Sequence, residues 1–333
     1  LVKIRHTTLP LVKGAGGILK VFSRMVKSVF GICRYDDPLW LGMIGMHGTY
    51  RANMAVGNCD LLIAIGVRFD DRVTGKIETF ASNAKIVHID IDPTSIRKNV
   101  QVAVPVVGDC RESLERLNTL LDDAPMGDAT ERHGAWLSQV EEWKQQFRLA
   151  YDQGEEIIKP QFVIDKLFEL TEGRAIVTTE VGQNQMWAAQ YYHFDGPRQF
   201  LTSGGLGTMG FGLPAAIGAK AACPDRPVVD VAGDGSIQMN IQELATAVQS
   251  CLPVKIVILN NGYLGMVRQW QELFYDRRYA CTLMDHQPDF VKLAEAYGAL
   301  GFRATRPEEV VPVLKEGLAA DRTVIMDFVV EKE

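Results

Sequence analysis

No two of the six cysteines (Cys33, Cys59, Cys110, Cys223, Cys251 and Cys281) stand in a Cys-x-x-Cys pair. That scatter excludes the usual zinc and dithiol motifs and reads as free thiols in a reducing compartment. No apolar run approaches ~18 residues, so no membrane span is expected. Excess positive charge is also missing. The formal net charge is −6, which argues against a nucleic-acid partner. Internal repeats and low-complexity tracts are absent. Acidic residues are absent from positions 1–35, which carry Lys3, Arg5, Lys13, Lys20, Arg24, Lys27 and Arg34. Such a segment has the composition of a transit peptide, or it is the ragged edge of a longer protein, since the first residue is Leu. A cytoplasmic location is expected, or an organellar one if the segment is a transit peptide.

What remains is ordinary globular composition, with 47% hydrophobic and 23% charged residues over 333 positions. A chain of that length builds a core without disulfides or structural metal and has room for two domains. In a first block, "DLLIAIGV" (60–67), "AKIVHIDID" (84–92) and "VPVVGD" (104–109) read as buried strands. "RESLERLNTLL" (111–121) follows as a helix. A polar linker and a connecting helix are expected over 122–158. From 159 onward, helices over 160–171, 184–190, 209–222, 240–250, 264–274, 288–297 and 307–319 alternate with the strands "AIVTTE", "QFLTS", "PVVDVAG", "VKIVILN" and "TVIMDFVV". The expected class is α/β, with two doubly wound parallel-sheet domains: a partial one over 38–121 and a second over 159–333. Right-handed crossovers place the strand C-termini of each sheet on one edge, where ligands bind.

Three places carry candidate chemistry. Asp234, between Gly233 and Gly235, and Asn261 follow successive strand ends. A carboxylate with an amide carbonyl is a hard oxygen pair, suited to Mg²⁺ or Ca²⁺ and poor for zinc. The flanking glycines let backbone N–H groups approach a phosphate. The plain alternative is two turns, which these residues favour. Asn240 and Glu243 read as a capping box. Second, "GLGTMG" (205–210) matches G-x-G-x-x-G, with Asp230 20 residues on where a ribose-binding acid would sit. A dinucleotide site competes there with another phosphorylated ligand, because one strand precedes the motif and Asp230 falls inside a strand. Third, "LGMIGMHGTYRAN" (41–53) and "GVRFDDRVTG" (66–75) place Arg68 and Arg72 after a strand, facing either an anion or solvent.

Gly-Asp-Gly, then 24 residues, then Asn-Asn resembles the signature of thiamine-diphosphate enzymes. "LTSGGLGTMGFGLPAAIGAK", "NNGYLGMVRQWQELFY" and "MHGTYRANMAVGNCDLLIAIGVRFDDRVTG" resemble the catalytic-subunit family of acetohydroxyacid (acetolactate) synthases, from about Pro38 to Glu333. The resemblance implies a central FAD-type domain followed by a domain that binds the thiamine diphosphate and Mg²⁺. Asp234 and Asn261 would ligate Mg²⁺ by side chain and Tyr263 by its carbonyl. Val181, Gln183, Asn184, Gly207, Gly233, Gly235 and Ser236 would belong to the cofactor site, and Met209 would hold the cofactor bent. Met266 and Trp270 would shape the substrate pocket. Met46, His47, Gly48, Arg68, Arg72 and Asp90 would bind FAD. The implied reaction decarboxylates pyruvate and condenses the remainder with pyruvate or 2-ketobutyrate, for branched-chain amino-acid biosynthesis. The implied partners are small 2-keto acids, a second copy as a homodimer, and a regulatory small subunit. Asn184 stands where the family commonly has histidine. The family's N-terminal domain with its catalytic glutamate, its approach to "PLWLGM" and its closing tail have no counterpart here, so an incomplete copy is expected.

Overall fold

The computed structural model describes Tyr35, Asp37, and residues 39–122 and 129–332. The basic segment expected over 1–37 lies almost wholly outside the described residues, as does part of the polar linker. The chain divides into two compact units, one covering Tyr35–Arg148 and the other Leu149–Glu333.

The first unit runs α1 (Tyr50–Asn58), β1 (Leu61–Ile65), β2 (Lys85–Asp90), β3 (Val104–Val107), α2 (Cys110–Asp122) and α3 (Ala129–Gln146). Thr49 starts α1 by accepting the N–H of Ala52 at its hydroxyl, 3.2 Å away. The three strands form a parallel sheet in the order β1-β2-β3. The helix α3 falls in the stretch expected to connect the domains. It belongs instead to this unit: buried Val140 and Trp143 join the same apolar cluster as Ala52, Ala55 and Val56 of α1.

The second unit runs α4 (Pro160–Thr171), β4 (Ile176–Thr179), α5 (Gln183–Tyr191), β5 (Phe200–Thr202), α6 (Gly212–Ala222), β6 (Val228–Gly233), α7 (Leu244–Gln249), β7 (Lys255–Asn260), α8 (Gly265–Phe274), α9 (Phe290–Ala296), β8 (Leu300–Ala304), α10 (Pro307–Ala319) and β9 (Val324–Val329). Proline at the first position of α4 and α10 starts each helix where its missing N–H costs nothing. The expected strands are present, with an additional one, β8, which "LGFRA" had not announced: Gly301 and Arg303 interrupt any apolar run. All six strands are parallel, in the order β5-β4-β6-β7-β9-β8. The residues of β6 and β7 are buried almost throughout, and their side chains are mostly apolar, Asp230 in β6 and Lys255 at the start of β7 apart. Side chains alternate between two covers. Val229, Val231, Val257 and Leu259 meet residues of α4, α5 and α10. Val228, Ala232, Ile256 and Ile258 meet residues of α6, α7 and α9.

From β4 the chain passes to β5 on one side and then returns to β6 on the other. The order therefore reverses between β4 and β6, and a crevice opens outside their carboxyl ends. Close packing at that point depends on Gly212, the first residue of α6. A Cβ there would meet Asp230 Oδ1 at 2.3 Å, the Glu180 nitrogen at 2.6 Å and the Thr179 carbonyl carbon at 2.7 Å. Two of those atoms are backbone and cannot swing aside. Gly212→Ala is expected to destabilise the chain by about 1–3 kcal/mol and to lower its thermal midpoint by several degrees in a calorimetric scan. An unchanged midpoint would contradict this packing.

Candidate functional site

The crevice between β4 and β6 holds a cavity of about 80 Å³, against roughly 10–15 Å³ for one water by the same kind of measure. Of the residues expected at a cofactor site, Val181, Gln183, Asn184, Met209, Gly233, Asp234, Gly235, Ser236, Asn261, Tyr263 and Met266 line it. Gly207 and Trp270 do not. Gly207 lies in the left-handed region (φ 68°), and a Cβ there would meet only Val181, at 3.9 Å. Trp270 sits one turn beyond Met266 on α8, half-buried. Trp187 and Leu264 also border the cavity, and no motif had marked them.

Each putting-together follows from the sheet. β6 and β7 are neighbours in register, Gly233 beside Leu259, so Asp234 and Asn261 leave adjacent strand ends. Asp234 is 1% exposed, and among the described residues no basic side chain lies within ion-pair distance. Burial pushes its carboxyl up to about 6, against the pull of hydrogen bonds from its own N–H and from Gln287. A sealed carboxylate without a counter-charge is costly, which suits the position to a cation. Asn261 is held by both ends: its Nδ2 donates to Gln183 Oε1 at 3.0 Å, and its Oδ1 accepts the Tyr263 N–H at 3.1 Å. The first contact fixes the amide so that the oxygen, with a second lone pair, is the atom available to a ligand. Residues 262–264 then pair with 282–284. Leu264 N–H donates to Thr282 O at 2.8 Å and Met284 N–H to Gly262 O at 2.9 Å, which leaves the Tyr263 carbonyl outside this ladder. One carboxylate and two carbonyl oxygens form a hard donor set that fits Mg²⁺ and leaves positions for water and phosphate oxygens.

The two asparagines of "NN" divide the work. Asn260 faces away from the ligand set and donates to Asp327 Oδ1 at 3.0 Å. Asp327 also accepts from Arg303 Nε at 2.9 Å, and Arg303 Nη2 donates to Asp289 Oδ1 at 2.8 Å. Asp289 in turn caps α9 through the N–H groups of Val291 and Lys292.

At the second glycine motif the dinucleotide alternative finds no room. Glu180, directly after β4 and fully buried, accepts the N–H groups of Gly210 and Leu213 and lies against those of Phe211 and Gly212. The N-terminus of α6, where a pyrophosphate would sit, is filled by the protein's own carboxylate. Asp230 is equally buried, inside β6 on the face toward α6. Its Oδ1 accepts Thr178 Oγ1 at 3.0 Å, and its Oδ2 has no hydrogen-bond partner. Burial first and the charge of Glu180 second push Asp230 well above the carboxylate range. Burial raises the Glu180 carboxyl too, and four amides pull it back toward the charged form, a help that Asp230 lacks. Asp230 contacts no ribose-sized space. Asn240 forms no capping box either: its Nδ2 donates to the Gly210 carbonyl at 2.7 Å, tying the same loop from its other side. Asn184, expected at the diphosphate, is 3% exposed and donates to the Val231 carbonyl at 2.8 Å, bracing β6 from α5.

In the first unit the loop after β1 and the loop before α1 meet. Met46 N–H donates to the Arg72 carbonyl at 2.8 Å. A Cβ on Gly48 would meet the Met43 oxygen at 2.4 Å, so that chain turn tolerates only glycine. Burial and then the nearby Arg72 hold the His47 imidazole below its ordinary value. Arg68 pairs with Asp70 at 2.7 Å and Arg72 with Asp71 at 2.9 Å, all largely exposed. Asp90 ends β2, buried, and accepts the Asp92 N–H at 2.9 Å.

Among the described residues, no helix is long and apolar enough to cross a membrane. The sequence matches the family described as "Thiamine pyrophosphate enzyme, C-terminal TPP binding domain" over residues 180–328, and "Thiamine pyrophosphate enzyme, central domain" over residues 23–117. It is 52% identical over 294 residues to the acetolactate synthase isozyme 3 large subunit of Escherichia coli K12, covering 87% of this chain and 51% of that protein. It is 48% identical over 311 residues to the acetolactate synthase large subunit of Haemophilus influenzae, covering 92% and 54%. Against acetolactate synthase 2, chloroplastic, of Zea mays it is 50% identical over 302 residues, covering 89% and 47%. The chain thus spans about half the length of these relatives. With two parallel sheets, two matching domains and a site at the switch point of the second, the chain belongs to the thiamine pyrophosphate enzymes and has the large subunits of acetolactate synthase as relatives.

Proposed function

We propose that this chain carries the cofactor-holding part of an acetolactate synthase catalytic subunit. Its reaction would be decarboxylation of pyruvate and condensation with pyruvate or 2-ketobutyrate, giving 2-acetolactate or 2-aceto-2-hydroxybutyrate. The observation that carries this reading is the pair of strand ends at β6 and β7. They bring a sealed, uncompensated carboxylate beside an amide whose orientation Gln183 has fixed. Asp234, Asn261 and the Tyr263 carbonyl would hold Mg²⁺. Gly233, Gly235 and Ser236 would present backbone and hydroxyl to the diphosphate, with Val181, Gln183 and Asn184 walling the opposite side. Thiamine diphosphate, when bound, supplies an electron sink for decarboxylating a 2-keto acid. Met209, on the loop that Glu180 anchors, would support the bent cofactor. Met266 and Trp270, a turn apart on α8, would line the approach of the second keto acid. In the first unit, Met46, His47, Gly48, Arg68, Arg72 and Asp90 would bind FAD, the two guanidiniums taking the pyrophosphate. We read the chain as working as a homodimer beside a small regulatory subunit.

Acetolactate formed from pyruvate by this chain, with thiamine diphosphate, Mg²⁺ and FAD supplied, is the direct test. Absence of product would refute self-sufficiency. In Asp234→Ala, Mg²⁺-dependent quenching of tryptophan fluorescence by thiamine diphosphate is expected to vanish, and unchanged affinity would refute the metal assignment.

The Asp234 carboxyl gives the pH dependence its sign. In the metal-free fold it keeps its proton up to about 6, against about 4 for a free aspartate. The folded chain therefore binds more protons than the unfolded one across that window, and this group's contribution to stability falls as the pH rises through it. Mg²⁺ has to displace that proton, so half-saturating Mg²⁺ should rise about tenfold per pH unit below about 6 and level off above. A flat titration between pH 5 and 7.5 would contradict this. For the flavin, Arg72→Ala should weaken FAD binding roughly tenfold or more, as expected for losing a charge-assisted contact. Equal affinity by flavin fluorescence would remove Arg72 from the site.

A further inference from the structure

One residue touches the proposed metal carboxylate without belonging to any motif. Gln287 donates through Nε2 to Asp234 Oδ2. It comes from a strap, residues 282–287, in the connection between α8 and α9. The strap is fixed at both ends. At the near end Thr282 and Met284 pair with residues 262–264, and buried Thr282 anchors the ladder. A Cβ on Gly235 would meet Met284 Sδ at 2.8 Å, so the strap lies directly on the Gly-Asp-Gly turn. At the far end Asp289, two residues past Gln287, is gripped by Arg303 at 2.8 Å and caps α9. Gln287 is therefore delivered to Asp234 by a braced segment, and holding it there costs little side-chain freedom.

We propose that Gln287 is a positioning residue of the cation site, its carboxamide setting the orientation of the Asp234 carboxylate. The chemistry of the group suits that task. An amide N–H holds one carboxylate oxygen yet is neutral, so the negative charge that a divalent cation needs remains uncancelled. A lysine or arginine at the same place would neutralise it, and an acid would repel it. The role rests on the reading of Asp234 as a Mg²⁺ ligand and deepens it.

The test is a Mg²⁺ titration of thiamine diphosphate binding, followed by tryptophan fluorescence, on the unsubstituted chain, Gln287→Met and Gln287→Ala. Methionine keeps the length and bulk and removes only the donor. In both variants half-saturating Mg²⁺ is expected to rise about tenfold, the scale of losing one hydrogen bond to a charged group. Thiamine diphosphate affinity at saturating Mg²⁺ should stay unchanged, and any drop in the thermal midpoint of the metal-free chain should be restored by excess Mg²⁺. If the unsubstituted chain responds to Mg²⁺ and Q287M needs no more of it, the positioning role is overturned while the parent reading stands. A lowered midpoint that excess Mg²⁺ does not offset would reduce Gln287 to a structural brace and also overturn it. If the unsubstituted chain itself shows no Mg²⁺-dependent binding, the parent reading falls and this inference with it.

Discussion

The Glu180 carboxylate, sealed at the end of β4 and bonded to the amides that open α6, is the contact on which the crevice depends. A buried carboxylate is tolerable only when its hydrogen bonds are complete. This one is supplied by the first turn of a helix, where unsatisfied N–H groups and the positive end of the helix dipole coincide. The contact fixes the start of α6 against β4 and β6, with Gly212 close enough to exclude any side chain. It also sets the height of the preceding loop, on which Met209 reaches the cavity. Burial and the charge of Glu180 raise the Asp230 carboxyl beside it, since two adjacent carboxylates without a cation oppose each other's ionisation. Glu180 has its hydrogen bonds from the opening of α6, whereas Asp234, hydrogen-bonded by Gln287, lacks a positive partner among the described residues.

A second layer of support lies beside the Asn261 amide. Asn260, Asp327, Arg303 and Asp289 form a continuous chain of hydrogen bonds from β7 through β9 and β8 to the cap of α9. Asp327 is fully buried, so removing one partner would leave a charge without compensation inside the sheet. The chain ties the end of β7 to the helix cap that also anchors the 282–287 strap. The same acid and guanidinium thus hold both sides of the Asn-Asn turn in place, and neither needs to touch a ligand.

Much of this was legible in the sequence because it depends on period and order. Buried parallel strands read as unbroken apolar runs, and alternating helices require their ends to share an edge. Asp234 and Asn261 could be assigned to one place from that alone. What stayed hidden depends on a side chain's partner. "GLGTMG" is the same string whether its amides face a phosphate or Glu180, and an acid after "IVTT" gives no sign of which way it turns. Asn240 followed by Glu243 has the spacing of a capping box, but tertiary contact with Gly210 claims the amide. "LGFRA" lacks a strand's pattern because Arg303 is needed for the ion pair to Asp327, so the functional demand erased the local signal. Gln287 sits 53 residues from Asp234 in an irregular segment, and no periodicity links them.

The two glycine-rich turns of this edge therefore take different roles. The one that looks built for a phosphate is closed by an internal anion and becomes a rigid support. The Gly-Asp-Gly turn keeps a carboxylate and, beside it, the oriented Asn261 carbonyl without a positive partner among the described residues. Which glycine loop binds a ligand is decided by where the protein has left a charge uncompensated, because a buried charge already satisfied from within has nothing to gain from a ligand. By that criterion the Gly-Asp-Gly turn is the better suited of the two to a cationic ligand. The G-x-G-x-x-G loop is the surface it is measured against, held at constant height by Glu180 so that whatever fills the crevice meets Met209 on one side and the carboxylate on the other.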